Sequence, residues 1–350
     1  VAGAGSAVGL AGGFPEGSWT ARGEAGSAAG LSPGAASLLQ PTALETAPAH
    51  STRATPNLAG NLIVRAPYHP RIPTGNDRAL AQDPGGNVAQ VRALRYKRWM
   101  SSSGPIAAAL SRRSQVARDV ADLEFTLSSP ARLEFRAGQF VTLQVGTDAH
   151  GRAERRSYSI ASLPERGESL RFLVKVIPGG PASDLFLSIP MGGRVDMTGP
   201  HGFFVLDPAH AGDVVFAATG TGLAPVMPML NELARRVAPA HRSPVASPVP
   251  ARIQVFWGLR DEGDLFLRDE VEDLCRAAGA ELRTHLSRPH AGWTGHRGRI
   301  TGPILEMAPR LASPTFYLVG NGAMITELKK GLVDLGVDRK KQIRTEAFFD

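Results

Sequence analysis

The sequence predicts an antiparallel β-barrel followed by an α/β domain built on a parallel sheet, the two preceded by a disordered N-terminal extension. Three observations carry this. Up to about residue 99 the chain is rich in Ala, Gly, Pro and Ser, with no sustained period of 2 or 3.6. From about Ser114 short alternating segments follow one another with turn residues between them. After Asp207 the texture changes again, to a repetition of strand, glycine turn and helix. The expected units are residues 1–99, 105–208 and 209–350, and a chain of 350 residues has room for two ordinary domains with real cores.

The extension cannot bury enough apolar surface to offset its ordering entropy. It contains no methionine; the first of seven is Met100, followed by SSSGPIAAALSRRSQVARDV, a run that could open a bacterial protein. Three readings of residues 1–99 stand open: a natural disordered extension, an organellar transit peptide, and upstream sequence joined by a wrong start site. The wrong start is preferred. Residues 1–14 lack the basic character of a targeting signal, and Glu16, Glu24 and Glu45 are unusual in a transit peptide.

Charge and composition exclude several classes. The formal charge is +7, but residues 1–99 hold nine Lys or Arg against five Asp or Glu. The remainder is nearly balanced and has no nucleic-acid footprint, though a local basic patch for an acidic protein partner is compatible with it. The longest weakly charged run, residues 214–230, is broken by Gly220, Gly222, Pro225 and Pro228, so no membrane span is expected and the protein is taken as soluble and cytoplasmic. Cys275 is the only cysteine, whereas an iron–sulfur cluster normally needs four thiolates and a disulfide two. The nine histidines show no metal-ligand spacing, and His285, His290 and His296 read as solvated loop residues.

Within the barrel region, residues 123–129, 131–146, 155–162, 168–180 and 194–206 read as strands. The third, RRSYSIAS, alternates so that Arg156 and Tyr158 point to one face, with Ser159 beside them. A guanidinium grips phosphate oxygens in a fork, a phenol ring stacks on a conjugated ring, and a hydroxyl bonds a ring nitrogen. Flavin nucleotides offer all three partners; an amphipathic edge strand with an exposed Arg is the plainer reading of the same residues. Next, GGPASDLFLSI starts with Gly179 and Gly180 and continues as a short helix containing Ser183, whose free N–H groups and positive dipole end suit a pyrophosphate. An ordinary glycine turn explains it as well.

The α/β region opens with a buried strand over 214–217, a tight turn at Gly220, Thr221 and Gly222, and a helix with Pro225 in its first turn. RIQVFWGLR, a helix near 267–279, ELRTHLSRP, a helix near 302–309 and the strand–helix run 315–336 follow. In such sheets ligands bind beyond the carboxyl ends of the strands, here residues 219–222, 258–260, 287–288 and 320–322. The turn is GTGLAP and not the GxGxxG dinucleotide fingerprint. Cys275 falls in the second helix, as a core residue.

Taken in order, RRSYSIAS, GGPAS, GPHGFF, ATGTGLAP, GLRDEGDL, LSRP, GRIT, VGNGAM and terminal EAFF resemble the ferredoxin–NADP(+) reductase superfamily, especially its bacterial members, over roughly residues 135–350. The resemblance implies an FAD-binding barrel followed by a nicotinamide-dinucleotide-binding α/β domain. Carried over residue by residue, it implies that Arg156 holds the flavin phosphate, that Tyr158 stacks on the isoalloxazine, and that Ser159, after Ser157, approaches flavin N-5, where hydride arrives. Val174, Lys175 and Val176, with Gly180, Pro181, Ala182 and Ser183, would line the rest of the FAD site. Thr219 and Thr221 would lie where the domains meet, and Leu259, Arg260, Ser287, Arg288, Arg299, Gly320, Asn321 and Met324 would border the coenzyme. Glu346 and Phe348 match the terminal Glu-x-aromatic pattern, whose ring covers the flavin until nicotinamide displaces it.

Two departures stand out: Val319 replaces the Cys the family commonly has before Gly320, and Phe348 and Phe349 compete for the stacking role, with Phe348 preferred. The implied activity moves electrons between NAD(P)H and a separate one-electron carrier, a ferredoxin or flavodoxin, by hydride transfer to FAD. The alternatives are a reductase component serving an oxygenase component, and a redox-sensing or scaffold subunit that binds FAD and nucleotide without turnover. Arg260, Arg288 and Arg299 resemble the family's phosphate-binding arginines and favour NADPH, with NADH open, since Arg260 could instead pair with Asp261 or Asp264 and the other two be solvated.

Overall fold

The computed structural model describes residues 104–238 and 247–349, so the expectations for residues 1–99 fall outside the described residues. The first domain contains strands β1 (Gly104–Ala117), β2 (Val120–Ser129), β3 (Phe140–Thr147), β4 (Ala153–Ser159), β5 (Ser169–Lys175) and β6 (Arg194–His201). They form one six-stranded antiparallel sheet in the order β4-β3-β6-β1-β2-β5. The two edges meet: just after β4, the Ala161 N–H donates to the Arg171 carbonyl of β5 at 2.8 Å, and Ser162 Oγ accepts from the Arg171 N–H at 3.2 Å. Period-two alternation sends Leu123, Phe125, Val141 and Leu143 inward. Helix α1 (Pro181–Ser188) caps this core, its Phe186 ring 6.3 Å from Phe125, which lies 5.9 Å from Phe172. Each such buried side chain contributes roughly 1.5–3 kcal/mol.

The barrel starts earlier than its texture suggests. β1 begins ten residues before Ser114 and pairs with both β2 and β6, well inside the sheet. Its inward residues Ile106, Ala108 and Leu110 do alternate, but alanines at 107 and 109 fill the outward positions and hide the period. The run 131–146 is also not one strand; only Phe140–Thr147 pairs, and Leu133 and Phe135 reach the core from irregular backbone.

The second domain runs β7 (Val214–Thr219), α2 (Leu223–Val237), β8 (Ile253–Leu259), α3 (Arg268–Ala278), β9 (Ala280–Leu286), β10 (His296–Arg297), α4 (Thr301–Met307), β11 (Thr315–Asn321), α5 (Gly322–Asp334) and β12 (Ile343–Phe349). All strands are parallel, in the order β10-β9-β8-β7-β11-β12. Central β7 is buried on both faces: Val214, Phe216 and Ala218 join the core under α2 and α3, while Val215 and Ala217 join the one under α4 and α5. Cys275 lies in that first core, and burial pushes its thiol up to about 12.

His285 corrects an expectation. It is not a solvated loop residue; it sits on β9, 3% exposed, its ring stacked 4.7 Å from that of His296 on β10, because the chain after Ser287 returns as a short edge strand. His290 and His296 are exposed. Among the described residues no helix is long and apolar enough to cross a membrane.

Candidate functional site

Two cavities flank the junction of the domains. The first, about 440 Å³, is walled by β4, the start of α1 and the end of β12. The β3–β4 register sets Arg156 opposite Leu143 and Tyr158 opposite Val141, so both side chains leave the same face as the alternation requires. The Tyr158 ring is fixed edge-on to Phe186 at 5.3 Å and 6.3 Å from Phe172, and burial pushes its hydroxyl up to about 12, so it stays a neutral phenol at neutral pH. Arg156 lies at the rim, half exposed and paired with Glu154 at 2.6 Å.

Ser159 and Glu346, 187 residues apart in sequence, meet on the cavity wall. Ser159 Oγ donates to Glu346 Oε1 at 2.5 Å. Glu346 gets there because β12 pairs parallel to β11, with Glu346 in register with Val319. Burial raises its carboxyl to about 7, against the opposing pull of the Ser159 hydrogen bond.

At the other end of this cavity Gly179 takes φ +71°, a conformation few other residues tolerate, and Gly180 caps α1, with Pro181 in its first turn. Ser183 Oγ accepts from the Ile177 N–H at 2.8 Å and folds the loop back on the helix. A Cβ at Gly180 would lie 3.1 Å from the Ile177 carbonyl oxygen, so a side chain there would need that carbonyl to give by a few tenths of an ångström. Cation, phenol face, hydroxyl and glycine-lined helix start border one cavity. They fit a ligand with a ring system, a ribityl chain and a pyrophosphate, as FAD has.

The second cavity, about 590 Å³, lies beyond the carboxyl ends of β7, β8 and β11. Thr219, Thr221, Leu259, Arg260, Ser287, Arg299, Gly320, Asn321 and Met324 all border it. Gly320 takes φ +112°, and a Cβ there would sit 2.4 Å from Thr219 Oγ1, which itself accepts from the Asn321 N–H at 2.8 Å. Only a glycine lets the ends of β7 and β11 close in this way. Asn321 Oδ1 in turn accepts from the Met324 N–H and caps α5. Phe348, Lys175 and Thr221 border both cavities, which puts the Phe348 side chain at their boundary.

Other expected residues lie elsewhere. Val174 is buried in the barrel core, and Val176 packs against that core with its N–H on the Asp119 carbonyl at 2.7 Å; neither borders a cavity. Arg288 is exposed and does not border the cleft, its backbone N–H bonded to the Arg260 carbonyl. Arg260 pairs with Asp264 through Nε at 2.9 Å, while Asp261 is taken by Arg118. Val319 is fully buried between β7 and β12. The Phe349 side chain lies outside the described residues. Phe140, Leu173 and Ile177 border the first cavity, and Asp119, Asp264 and Phe266 the second, without having been expected. Phe140 stands opposite Ser159 on the facing strand and could have been found by extending the Ser159 face, not the one shared by Arg156 and Tyr158; Asp119, in a hairpin turn, left no signal.

Residues 107–206 match the family described as an oxidoreductase FAD-binding domain, and residues 216–330 the one described as an oxidoreductase NAD-binding domain. The chain is 32% identical over 231 residues to ferredoxin–NADP reductase B of Sorangium cellulosum, covering 63% of this chain and 88% of that protein. It is 28% identical over 239 residues to the reductase component of propane 2-monooxygenase from Mycolicibacterium goodii, covering 66% of this chain but 64% of that protein. Among solved structures, a cytochrome P450 reductase of Amycolatopsis superposes with a TM-score of 0.58 at 26% identity over 70% of each chain.

Proposed function

The chain belongs to the ferredoxin–NADP(+) reductase superfamily and is an FAD- and NAD(P)-binding oxidoreductase, and from that premise we propose how its two cavities divide the work. The barrel, residues 105–208, holds FAD in the smaller cavity; the α/β domain, residues 209–350, holds NAD(P)H in the larger. The observation that carries this reading is the shared boundary at Phe348, which sets the cavity bordered by Arg156, Tyr158 and the start of α1 beside a cleft at the carboxyl ends of a parallel sheet. When bound, FAD supplies the exchange between a two-electron donor and one-electron acceptors.

The residues supply geometry. Arg156 exchanges Glu154 for phosphate oxygens, Tyr158 offers a fixed flat face, and the start of α1 offers backbone N–H groups to the pyrophosphate. Ser159 and Glu346 form a polar pair able to hold or release a proton near neutral pH, at the Glu346 carboxyl. Phe348 stands between the two cavities, and a movement of its ring would join them. Val319 stands where the resemblance implies a thiol, but it is fully buried and borders neither cavity, so it offers the coenzyme no direct contact.

The electron acceptor is a separate protein, a ferredoxin, a flavodoxin or an oxygenase component; the likeness to a propane monooxygenase reductase favours the last as the second reading. The test is coenzyme-dependent reduction of ferricyanide and cytochrome c by the FAD-loaded protein. Rapid turnover is expected. FAD and coenzyme binding without turnover would instead identify a redox-sensing subunit. Arg156→Ala should weaken FAD retention by about 2–3 kcal/mol, tens- to a hundredfold, and unchanged retention would overturn the assignment of this cavity.

A further inference from the structure

The turn between β1 and β2 belongs to the barrel, yet it forms part of the wall of the 590 Å³ cleft. Three contacts stitch it to the loop after β8. The Arg118 N–H donates to the Gly263 carbonyl at 3.3 Å, the Arg118 guanidinium pairs with Asp261, and Asp119 Oδ2 accepts from Arg260 NH2 at 3.3 Å. The same Asp119 oxygen accepts from Lys175 Nζ at 2.6 Å. Asp119 thus joins two cations that border the cleft, one from each domain.

Its other oxygen, Oδ1, is shut off from solvent and has no hydrogen-bond partner. A buried carboxylate oxygen left in this way is costly unless a donor reaches it. Arg260 is further occupied by Asp264, 7% exposed, through Nε at 2.9 Å and NH2 at 3.2 Å. Of the cations bordering the cleft, Arg299 is the one with no carboxylate partner among the described residues.

We propose that Asp119 is a coenzyme-selectivity residue: a carboxylate of the flavin domain that engages Lys175 and Arg260 and so biases the cleft toward an adenosine ribose bearing free hydroxyls over one bearing a 2′-phosphate. The proposal rests on the cleft being the coenzyme site. The effect is electrostatic: a carboxylate that neutralises neighbouring cations weakens the field acting on a ligand with two additional negative charges far more than on the ligand without them. Dinucleotide sites usually draw such a carboxylate from the parallel sheet itself; here one comes from the barrel, so docking of the two domains is part of the selectivity.

The experiment compares Asp119→Asn with the parent, both FAD-loaded, by calorimetric titration with ADP-ribose and with 2′-phospho-ADP-ribose. The affinity ratio, phosphorylated over unphosphorylated, should rise about tenfold, equivalent to about 1.4 kcal/mol, and the KM ratio of the two coenzymes should move in the same sense. Asp119→Glu should bring the ratio back toward the parent value. If Asp119→Asn does not accumulate folded, Asp119→Ser carries the same test. An unchanged ratio with both ligands still binding, or an equal change for both, overturns the selectivity role while leaving the cleft assignment standing. Failure of both ligands to bind the parent overturns the cleft assignment, and the selectivity role with it.

Discussion

Glu346 is an acid held where its charge is disfavoured. Burial lifts its carboxyl to about 7, and the Ser159 hydroxyl only partly opposes that. Since the folded value lies above the ordinary carboxyl value of 4.5, the protonated form is the one favoured by folding. The stabilisation from that form is complete below the unfolded value and is lost as pH climbs through about 7. Glutamine keeps an acceptor for Ser159 and has no charge to bury. Melting curves of flavin-free Glu346→Gln against the parent should therefore show an advantage for the variant that grows from pH 4.5 to 7 and is flat above. A difference independent of pH would mean that Glu346 is solvated and that its meeting with Ser159 does not desolvate it.

At the scale of elements, the ends of β7 and β11 make a sharper demand than any helix. Gly320→Ala must place a methyl 2.4 Å from Thr219 Oγ1 at φ +112°, whereas Gly279, which caps α3 at φ +65°, has nothing within 4 Å of an added Cβ. Chemical denaturation should show a loss of about 3 kcal/mol or more for the first and about 1 kcal/mol for the second, which pays only the left-handed backbone cost. Equal losses would mean that β7 and β11 can separate at their carboxyl ends. The glycine at 320 was legible as a turn; the reason for it was not, because the Thr219 side chain it must clear lies a whole βα repeat and more away in sequence. The α/β repeat itself was readable because β7, β8 and β11 are short, largely apolar runs with glycine at or just beyond their carboxyl ends. β1 was not, since alanines fill both its faces, nor was β12, whose residues IRTEAFF lack a clean alternation. Of the site, the face shared by Arg156 and Tyr158 followed from period two. The Ser159–Glu346 contact and the wall formed by Asp119 depend on how strands and domains dock, and local spacing carries no record of that.

For the whole molecule, the junction of the domains rests on ion pairs of very different burial. Asp122 of β2, its side chain 3% exposed, is gripped by Arg171 through Nε at 2.9 Å and NH2 at 3.0 Å, and by Arg112 at 3.0 Å. Arg171, 17% exposed, also reaches across to Glu270 of α3 at 2.6 Å. Burial alone would raise the Asp122 carboxyl, but the hydrogen bonds from Arg171 and Arg112 outweigh it and hold it below the ordinary range. Its contribution is thus present above that range and is lost as pH falls through the depressed value. By contrast, the pair between Glu165 of the barrel and Arg235 of α2 is roughly half exposed on both sides. Removing one partner of a buried pair leaves a charge without compensation, at a cost of about 3–5 kcal/mol, whereas a surface pair is worth up to about 1 kcal/mol. Arg171→Met should therefore lower stability by several-fold more than Glu165→Gln in urea titrations at pH 7, although each removes one bridge between the domains. The deficit of Arg171→Met should also shrink in acid, because Asp122 without this partner protonates at higher pH and no longer needs a buried counter-charge. Equal deficits for the two variants, or one for Arg171→Met that does not change with pH, would show that the domains are joined by their apolar contact and that the Asp122–Arg171–Glu270 chain adds little to it.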